Sequence, residues 1–525
     1  MGTGLKVSAR GMNSSRPREC PLCREPAESG LGRHLRKAHS RDEWESAVFE
    51  AKETGMSDAD IGSRFGISFA TLSEIVIKKR GAGWFSAAAV RKLSKLGPDE
   101  FHPERTTVWS FRSRGNWATH NGSYRGNWSP YIPRNLLLRY SSPGDMVMDC
   151  FAGSGTTAVE SLLLGRNFIG FDINPVAVKM AGQALGEVRA AALEKGVQPI
   201  AAELSVNEGD ARRLSALEDS SIDLICTHPP YAGIIRYSQA VPGDLSSLDP
   251  ESYTCEMKKV VEESRRVLRR GGRCAVLIGD RRKEKRNVPL GFTLIELYLR
   301  NGFELLELIV KRQFNTRTSG LWYNKAVQGR FLLLEHEYLP VFRKGKAQLS
   351  MLEPVTKRRK FSFRLADGRT DSRKTSTGTV WDDETGNILH NIERLSGNQG
   401  TFILKAGRQG TGIRRVNGAV YTEMQAAAGN TGEMLKSREM LQYAVSQLAA
   451  ILEKGALLCI RAADRRIDGT LFPVGLLTLT DMHENRDFRL REIVVIDGSR
   501  KTAPRGKDGA MLRIAHSYLM IYERA

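Results

Sequence analysis

The sequence predicts an α/β protein with a doubly wound, mostly parallel sheet, and three observations support this prediction. In the middle of the chain, apolar strand-like runs alternate with helix-like stretches, the pattern of a parallel sheet covered on both faces. A glycine-rich turn, FAGSGTT at 151–157, follows one of these runs and opens a helix at about Thr156. Polar residues then stand at successive strand ends, where a parallel sheet of this kind gathers its ligand site.

The composition sets the outer bounds of the prediction. The chain has 525 residues, of which 41% are hydrophobic, enough for two or three domains with a buried core. Lysine and arginine outnumber aspartate and glutamate by 79 to 59, and this surplus of 20 positive charges favours a polyanionic partner such as nucleic acid. No apolar run approaches the roughly 20 residues of a membrane span, and the N-terminal residues have no signal-peptide core. We therefore expect a cytoplasmic, nucleoid-associated protein that does not enter a membrane.

A metal site is predicted near the start of the chain, within residues 15–42. Cys20, Cys23, His34 and His39 form a C-x2-C-x10-H-x4-H pattern, in which two thiolates and two imidazoles can hold one tetrahedral Zn²⁺. The other five of the seven cysteines lack a close partner, so a disulfide framework is not indicated. The ending HLRKAHS resembles Ros-like bacterial zinc-finger regulators, although the spacing is shorter than in animal fingers. The alternative is a chance coincidence of these four residues.

A helical hairpin is predicted directly downstream, within residues 43–95. Apolar residues recur at helical spacing in SDADIGSRFGISFATLSEIVIKKR, with Ser57 as a candidate N-cap and Gly66 at the turn. This pattern indicates a helix-turn-helix, whose second helix enters the major groove of DNA. The residues expected near bases or phosphates are Ser68, Phe69, Thr71, Ser73, Lys78, Lys79 and Arg80. An ordinary helical hairpin with a charged tail is the alternative.

The glycine turn and the next two strand ends form a candidate cofactor site. Gly153 and Gly155 allow the backbone to come close to a ligand at the mouth of the turn. Asp172 ends the next strand, NFIGFDI, where a carboxylate can accept both hydroxyls of a ribose, and Asp210 follows a third strand. Glycines followed by two acidic strand ends indicate an adenosine-containing cofactor. The turn lacks the G-K-[ST] sequence of a phosphate-binding loop.

A fourth strand, DLICT, ends in His228, Pro229, Pro230 and Tyr231. Prolines donate no hydrogen bond to a sheet and fix the backbone, which turns carbonyl groups into the cleft above the cofactor. A nucleobase amino group needs acceptors for its two hydrogens, and its ring needs a flat partner. The first two positions can supply the acceptors and Tyr231 the flat face. A proline-rich loop without an active site is the alternative.

The motifs FAGSGTT, GFDINP and THPPY, in this order, resemble the S-adenosylmethionine-dependent DNA methyltransferases that modify adenine N6 or cytosine N4. The resemblance covers about residues 105–343 and includes RGNWSPYIPRNLLLRYSSPGD, KRQFN and HEYLPVFRK. It implies a Rossmann-like catalytic domain that binds S-adenosylmethionine. The cofactor-binding residues implied by the resemblance are Asp149, which orders the turn, Phe151, Gly153 and Gly155, with Asp172 for the ribose and Asp210 for the adenine amino group.

The resemblance makes residues 228–231 the catalytic motif, but the family usually has Asp, Asn or Ser where this chain has His228. A neutral imidazole can accept a hydrogen bond, whereas a protonated one cannot. The target base therefore stays open between adenine and cytosine. The implied function is site-specific methylation of double-stranded DNA, in DNA modification or in restriction-modification with a nuclease partner. The alternatives are methylation of RNA or of protein glutamine, and a DNA-binding regulator whose enzyme domain is inactive.

The C-terminal third contains a repeat of the predicted catalytic region. Residues 344–430 are rich in charge and small side chains, and we predict a basic linker or DNA-recognition segment there. Beyond it, LEKGALLCIRAADRRIDGTLFPVGLLTL resembles LRRGGRCAVLIGDRRKEKRNVPLGFTLI, 184 positions earlier. This copy, residues 431–525, has no glycine turn and no H-P-P-Y motif. We predict a degenerate α/β half that packs against the enzyme or holds DNA but does not catalyse; chance similarity of one strand-helix-strand unit is the alternative.

Overall fold

The chain divides into two compact units, an N-terminal unit of residues 1–90 with 238–240 and a larger unit of residues 91–237 and 241–525. The computed structural model describes residues 19–27, 31–54, 56, 58–67, 71–72, 75, 93, 95–122, 124, 126–196, 203–232, 241–314, 325–326, 328–345, 349–353, 363–367, 380–382, 385–397, 401–406, 415–424, 431–467, 470–483, 485–498 and 511–525. Within these residues, no helix is both long enough and apolar enough to cross a membrane.

The N-terminal unit is helical where the structure describes it. Its helices are α1 (Leu31–Ala38), α2 (Arg41–Glu53) and α3 (Asp58–Phe65). The Ser40 side chain accepts a hydrogen bond from the Glu43 amide and so caps α2. Gly66 follows α3 with a φ of 60°, the left-handed conformation that ends helices. Apolar side chains of all three helices share one small core with Cys20.

The larger unit is built around an eight-stranded sheet. Its strands and the adjoining hairpin are β1 (Val108–Ser110), β2 (Met146–Asp149), β3 (Asn167–Asp172), β4 (Leu204–Glu208), β5 (Ile222–Thr227), β6 (Leu268–Val276), the hairpin β7 (Arg281–Lys283) and β8 (Arg286–Val288), β9 (Phe303–Arg312) and β10 (His336–Lys344). The order across the sheet is β1-β9-β10-β6-β5-β2-β3-β4, and β10 alone runs antiparallel to its neighbours among these described strands. The predicted doubly wound, mostly parallel sheet is thus confirmed.

Helices cover this sheet on both faces. They are α4 (Tyr131–Tyr140), α5 (Thr156–Leu163), α6 (Pro175–Glu194), α7 (Pro250–Val267) and α8 (Leu290–Arg300). Two separate hydrophobic clusters lie against the two faces of the sheet. Central strands such as β2 bury side chains on both faces, so that Val147 belongs to one cluster and the next residue, Met148, to the other. The helix α5 begins at Thr156, as the sequence predicts.

A second sheet of seven described strands follows in the chain. Its strands and hairpin are β11 (Phe363–Asp367), β12 (Val380–Asp382), β13 (Thr401–Ala406), β14 (Ala419–Glu423), β15 (Leu457–Ala462), the hairpin β16 (Arg465–Ile467) and β17 (Thr470–Phe472), β18 (Phe488–Asp497) and β19 (His516–Arg524). The order is β11-β13-β14-β15-β19-β18-β12. The accompanying helices are α9 (Leu349–Leu352), α10 (Thr385–Leu395), α11 (Thr431–Ile451) and α12 (Val474–His483).

The second sheet repeats most of the first. The run β12-β18-β19-β15-β14-β13 has the same strand directions as β1-β9-β10-β6-β5-β2. The first sheet then continues with the parallel strands β3 and β4, whereas the second ends with β11, which is antiparallel. The second copy therefore has no counterpart of the β3–β4 edge among its described strands.

The sequence predicts a basic linker or a DNA-recognition segment at residues 344–430, and the structure contradicts the first of these two alternatives. Its described residues include four strands, β11 to β14, and the helix α10, so much of it belongs to the second sheet rather than connecting two folded parts. Trp381, Ile388 and Ile392 are each no more than 2% exposed. These short apolar elements are separated by charged stretches, which hid their periodicity in the sequence.

Candidate active site

Asp149 links the glycine turn to Thr227, the residue before the predicted catalytic motif at 228–231. It ends β2, and one carboxylate oxygen accepts from the Thr157 hydroxyl at 2.6 Å. The other oxygen accepts from the Phe151 amide at 3.1 Å and from the Thr227 hydroxyl at 2.8 Å. Burial raises the pKa of Asp149 to about 6, although these donors favour the ionised form. One buried carboxylate thus orders both the turn and the end of β5.

The turn requires glycine at two positions, 153 and 155, for different structural reasons. Gly153 has a φ of 53°, and a Cβ there would lie 3.2 Å from the Tyr124 ring. Gly155 has a φ of 85°, and its Cβ would lie 2.9 Å from the Cβ of Ala181 on α6. A larger residue at position 155 would therefore push α6 away from the turn, in addition to straining the backbone.

Asp172 lies against the glycine turn at the end of β3. Its carboxylate accepts from the Gly153 amide at 2.8 Å and from the Asn174 amide at 2.9 Å. Burial raises the pKa of Asp172 above its usual value, while these two amides act in the opposite direction. Each carboxylate oxygen has more than one lone-pair direction, so the group can still accept hydrogen bonds from a ligand.

Asp210 stands beyond β4 and is held by Arg212. The guanidinium donates to both carboxylate oxygens, at distances from 2.6 to 3.0 Å, and also pairs with Glu256. Burial raises the pKa of Asp210, but the bonds from Arg212 outweigh it and hold the pKa below its usual value. The sequence did not indicate this pairing, which leaves fewer lone pairs of Asp210 for a ligand.

The four residues His228, Pro229, Pro230 and Tyr231 follow β5 directly. The partly buried imidazole of His228 stacks on Trp128, with ring centroids 5.9 Å apart, and its Nε2 lies 2.9 Å from the Tyr231 hydroxyl. Burial lowers the pKa of His228 to about 4, although the nearby Glu337 raises it. The imidazole is therefore neutral at physiological pH, the state in which it can accept a hydrogen bond.

Sequence reasoning missed Glu337, which contacts the predicted catalytic motif, and Lys311, which pairs with Glu337. The Tyr231 hydroxyl donates to Glu337 Oε1 at 2.5 Å, and Lys311 Nζ donates to Glu337 Oε2 at 2.8 Å. Both residues lie in segments quoted for the family resemblance, KRQFN and HEYLPVFRK. A charged residue inside an otherwise buried strand is the signal that could have identified them.

The segment before α4 also reaches the glycine turn. The Asn127 side chain donates to the Ser154 hydroxyl at 2.7 Å and accepts from the Thr156 hydroxyl at 3.0 Å. The Arg114 side chain donates to the backbone carbonyls of Asn127 and Trp128. This segment contains the RGNWSP sequence, and its contacts place it over the turn that the resemblance assigns to the cofactor.

Cys20, Cys23, His34 and His39 come together in the N-terminal unit. Their ligand atoms all lie within 4.8 Å of one another, with Cys20 Sγ 3.4 Å from His39 Nε2 and Cys23 Sγ 3.3 Å from His34 Nε2. Zinc bonds to sulfur of about 2.3 Å and to nitrogen of about 2.0 Å produce ligand separations of this size in a tetrahedral site. The donor set fits one Zn²⁺.

Most of the residues predicted to contact DNA lie outside the described residues. These are Ser68, Phe69, Ser73, Lys78, Lys79 and Arg80, together with the candidate N-cap Ser57. Thr71 is described and is half-buried. The helix-turn-helix therefore stays a prediction, with α3 and the turn at Gly66 as its described part.

The fold and the candidate site together define an α/β protein in which, at the carboxyl ends of parallel strands, a glycine turn and a proline-rich strand end share one buried aspartate. A family model for DNA methylases (N6_N4_Mtase) matches residues 64–183 and 222–417, and the chain belongs to this family. The family predicted from the motifs is thereby confirmed.

Individual relatives cover smaller parts of the chain. The Type II methyltransferase M1.MboII of Moraxella bovis is 36% identical over 121 residues, which are 22% of this chain and 42% of that protein. The Type II methyltransferase M.MthZI of Methanothermobacter thermautotrophicus is 28% identical over 191 residues, 33% of this chain and 52% of that protein. Each match thus spans about half or less of the relative's length. Among solved structures, a TehB-like SAM-dependent methyltransferase from Corynebacterium glutamicum covers 40% of this chain and 86% of its own, with 17% identity and a TM-score of 0.26.

Proposed function

We propose that this protein transfers a methyl group from S-adenosylmethionine to an exocyclic amino group, adenine N6 or cytosine N4, of a base in double-stranded DNA. The observation that carries the proposal is the bridging role of Asp149, which accepts hydrogen bonds from both the glycine turn and Thr227, the residue before His228. A cofactor turn and a base-binding motif tied to one buried carboxylate suit direct transfer between two bound molecules.

S-adenosylmethionine would bind at the carboxyl ends of β2, β3 and β4 and supply an electrophilic methyl group. The residues proposed to hold it are Asp149, Phe151, Gly153, Gly155, Asp172 and Asp210. Asp172 is the proposed ribose ligand, since its carboxylate lies at the turn and retains lone pairs. The pairing of Asp210 with Arg212 means that an adenine amino group would share this carboxylate with the guanidinium.

The catalytic motif would orient the target base. Leaving the DNA stack costs a few kcal/mol, which stacking on the Tyr231 ring would partly offset. The Tyr231 hydroxyl gives its hydrogen to Glu337, so His228 Nε2 would be the donor to that hydroxyl and Nδ1 the acceptor of the neutral ring. The Pro229 carbonyl and His228 Nδ1 would then accept the two amino hydrogens, so that the nitrogen lone pair is directed at the methyl carbon. Bound S-adenosylmethionine would supply the methyl group to this nitrogen and leave as the neutral thioether, and the nitrogen would then lose a proton to solvent.

The N-terminal unit would recognise DNA. The proposed zinc finger, with Cys20, Cys23, His34 and His39 as its ligands, belongs to the same unit as α3, the first helix of the predicted helix-turn-helix. Two small modules that commonly bind nucleic acid, in a chain with 20 excess positive charges, favour DNA over RNA or a protein substrate.

We further propose that the second copy neither binds cofactor nor catalyses. Thr422 lies opposite Ile460 on β15 as Thr227 lies opposite Val276 on β6, so Glu423 stands where the catalytic copy has His228. The next residues are Met424 and Gln425 rather than two prolines. The strands β3 and β4, which support the cofactor site, also have no counterpart among the described strands of this copy.

A methylation assay with labelled S-adenosylmethionine tests the proposal. The purified protein is incubated with duplex DNA, RNA and cell extract, and the DNA is digested to separate N6-methyladenine from N4-methylcytosine. We expect label in one of these two bases. Label in RNA or protein alone would contradict the proposal, and cofactor binding without transfer to any substrate would favour an inactive enzyme domain in a DNA-binding regulator. Protection of the modified DNA from a restriction nuclease tests the proposed role in restriction-modification.

A further inference from the structure

We propose that Lys311 and Glu337 are positioning residues of the catalytic motif: Glu337, paired with Lys311, holds the Tyr231 hydroxyl, and Tyr231 in turn holds the His228 ring. The inference rests on the proposed function, because it assigns a role within the same site. Neither residue belongs to the motif itself, and neither was predicted from the sequence to act there.

The four side chains form one continuous chain of hydrogen bonds. Lys311 on β9 and Glu337 on β10 are directly opposite in the register of these antiparallel strands. The two oxygens of Glu337 are divided between them, Oε2 for Lys311 Nζ and Oε1 for the Tyr231 hydroxyl. The same hydroxyl lies 2.9 Å from His228 Nε2. Two strands distant in sequence from the motif thus reach Tyr231 directly and His228 through Tyr231.

Both side chains of the Lys311–Glu337 pair are largely buried. The side chain of Glu337 is 7% exposed and that of Lys311 is 18% exposed. A buried carboxylate is costly unless it is paired and hydrogen-bonded, and here both conditions are met. Although burial raises the pKa of Glu337, Lys311 and His228 lower it to about 2. Glu337 therefore stays ionised and accepts the phenolic hydrogen throughout the physiological pH range.

The Tyr231 ring also packs against the backbone after β6. A Cβ at Gly279, just beyond β6, would lie 3.4 Å from the Tyr231 ring, so the ring packs closely against the backbone at this glycine. With its hydroxyl held by Glu337 and its Cε2 and Cζ atoms close to the backbone at Gly279, the ring has a restricted position before any base arrives. Such preorganisation removes a cost that would otherwise fall in the transition state.

The second copy of the fold provides an internal comparison. His516 matches His336 in the repeat, so Ser517 stands where Glu337 is, and Ile496, opposite Ser517, stands where Lys311 is. Glu423 replaces His228 in that copy. The ion pair is therefore present in the copy with the catalytic motif and replaced in the copy without it.

Other buried polar contacts of this region are kept in both copies. His336 lies 2.9 Å from the Tyr338 hydroxyl, and His516 lies 2.7 Å from the Tyr518 hydroxyl. The fold thus retains the neighbouring histidine–tyrosine pair where no catalytic motif stands, but not the lysine–glutamate pair. This difference indicates that Lys311 and Glu337 serve the motif rather than the sheet.

The test is a double variant that carries the residues of the second copy, Lys311→Ile with Glu337→Ser. It should fold, since the second sheet accommodates the same residues at the same register. We expect the single-turnover methyl-transfer rate on duplex DNA to fall by about 10- to 100-fold, the scale of a small misplacement of reacting groups. The dissociation constant of S-adenosylmethionine should stay within about twofold, since neither residue contacts the glycine turn.

The matched control is the Glu304–Arg343 pair, which also joins β9 to β10 but lies at the other end of these strands. Glu304→Ser with Arg343→Ile should leave the rate unchanged. A Lys311/Glu337 variant as fast as the parent would overturn the proposal. So would a slower variant whose cofactor affinity falls by the same factor, because that result indicates general damage.

A second readout does not depend on activity. In protein with ¹⁵N-labelled histidine, the His228 resonances are assigned by their loss in His228→Ala. We expect the double variant to shift the His228 nitrogen resonances and their titration midpoint, whereas the Glu304/Arg343 control should not. If the parent methylates no DNA but the His228 resonances respond as expected, the proposed function fails while the positioning role stands. Unchanged His228 resonances would overturn the positioning role.

Discussion

At the scale of single residues, cofactor binding is expected to depend on Asp172. Asp172→Ala removes the proposed acceptor for the ribose and the partner of the Gly153 amide, so we expect S-adenosylmethionine affinity to weaken by about 1.5 to 3 kcal/mol, the usual scale for a charged hydrogen bond. Isothermal calorimetry measures the change. Asp145→Ala is the control, because this carboxylate lies just before β2, at its opposite end, and only accepts from Ser142 in the described contacts. Unchanged affinity in Asp172→Ala would remove Asp172 from the site.

The pH dependence of the reaction is expected to follow the burial of His228. Burial, opposed by Glu337 and assisted by Lys311 and Arg114, lowers the pKa of His228 to about 4. Because the ring stays neutral above this pKa, the single-turnover rate should be level from about pH 8 to pH 5 as far as His228 determines it, and should fall as the pH approaches 4. A rate that falls with a midpoint near the unperturbed value of ~6.5 would contradict the buried environment.

Substitution at His228 distinguishes the contribution of the imidazole to the methyl-transfer rate from that of the backbone carbonyl of Pro229. His228→Ala should lose much of the methyl-transfer rate and keep cofactor binding, while His228→Asn should recover part of the rate because its amide oxygen can accept a hydrogen bond. A His228→Ala protein that is as fast as the parent, with the same pH profile, would leave the imidazole no catalytic role.

At the scale of elements, the two copies share a junction between hairpin and helix. Asp280 accepts from the Gly291 amide at 3.0 Å, and Asp464 accepts from the Gly475 amide at 3.1 Å, at the same sequence separation. Both glycines face a tyrosine ring, which a Cβ would meet at 2.1 Å and 2.5 Å. The residues that the sequence repeat matches are therefore those that fix the start of α8 and α12.

The N-terminal helices are expected to depend on zinc. Leu35, Trp44 and Ile61 share a small core with Cys20, and a core of this size contributes little stability without a bound metal. We expect about one zinc per chain by metal analysis. Cys20→Ser should lose the metal and, by circular dichroism, the helical signal of this unit, whereas Cys255→Ser, at an exposed free cysteine, should lose neither. Protein without zinc, in which Cys20→Ser matches the parent, would refute the site.

At the scale of the whole larger unit, the two copies exchange ion pairs reciprocally. Arg282 of the first copy pairs with Glu492 of the second at 2.6 Å, and Arg466 of the second pairs with Glu307 of the first at 2.7 Å. Arg466 stands 184 positions after Arg282 in the repeat, and both glutamates occupy the same bulge, beside the register shifts of β9 and β18. The contact is therefore isologous, the kind that two copies related by a two-fold axis make.

This reciprocal contact should stabilise the larger unit. Glu492 is fully buried and Arg282 is 16% exposed, so Arg282→Met leaves a buried carboxylate without its cationic partner. We expect the free energy of unfolding, from urea titration, to fall by about 3 to 5 kcal/mol. The control Arg343→Met breaks the more exposed pair with Glu304 and should cost about 1 kcal/mol or less. Equal losses in the two variants would argue against a special role for the contact between the copies.

The sequence by itself determined the parts of this protein that depend on local pattern. Strand and helix periodicity predicted the parallel sheet, the glycine turn predicted the start of α5, and the spacing of Cys20, Cys23, His34 and His39 predicted a cluster whose atoms do meet. The motif order was enough to identify the family. Each of these features is encoded within a few tens of residues, so neighbouring positions are sufficient to specify it.

Only the tertiary structure decided which distant residues meet. Glu337 reaches Tyr231 across 106 positions, and Arg282 reaches Glu492 across 210. Such contacts depend on strand order and on a register in which a shift of one residue moves every side chain to the other face of the sheet. The strands of 363–424 were missed for the same reason, because short apolar segments become strands only when a neighbouring strand pairs with them.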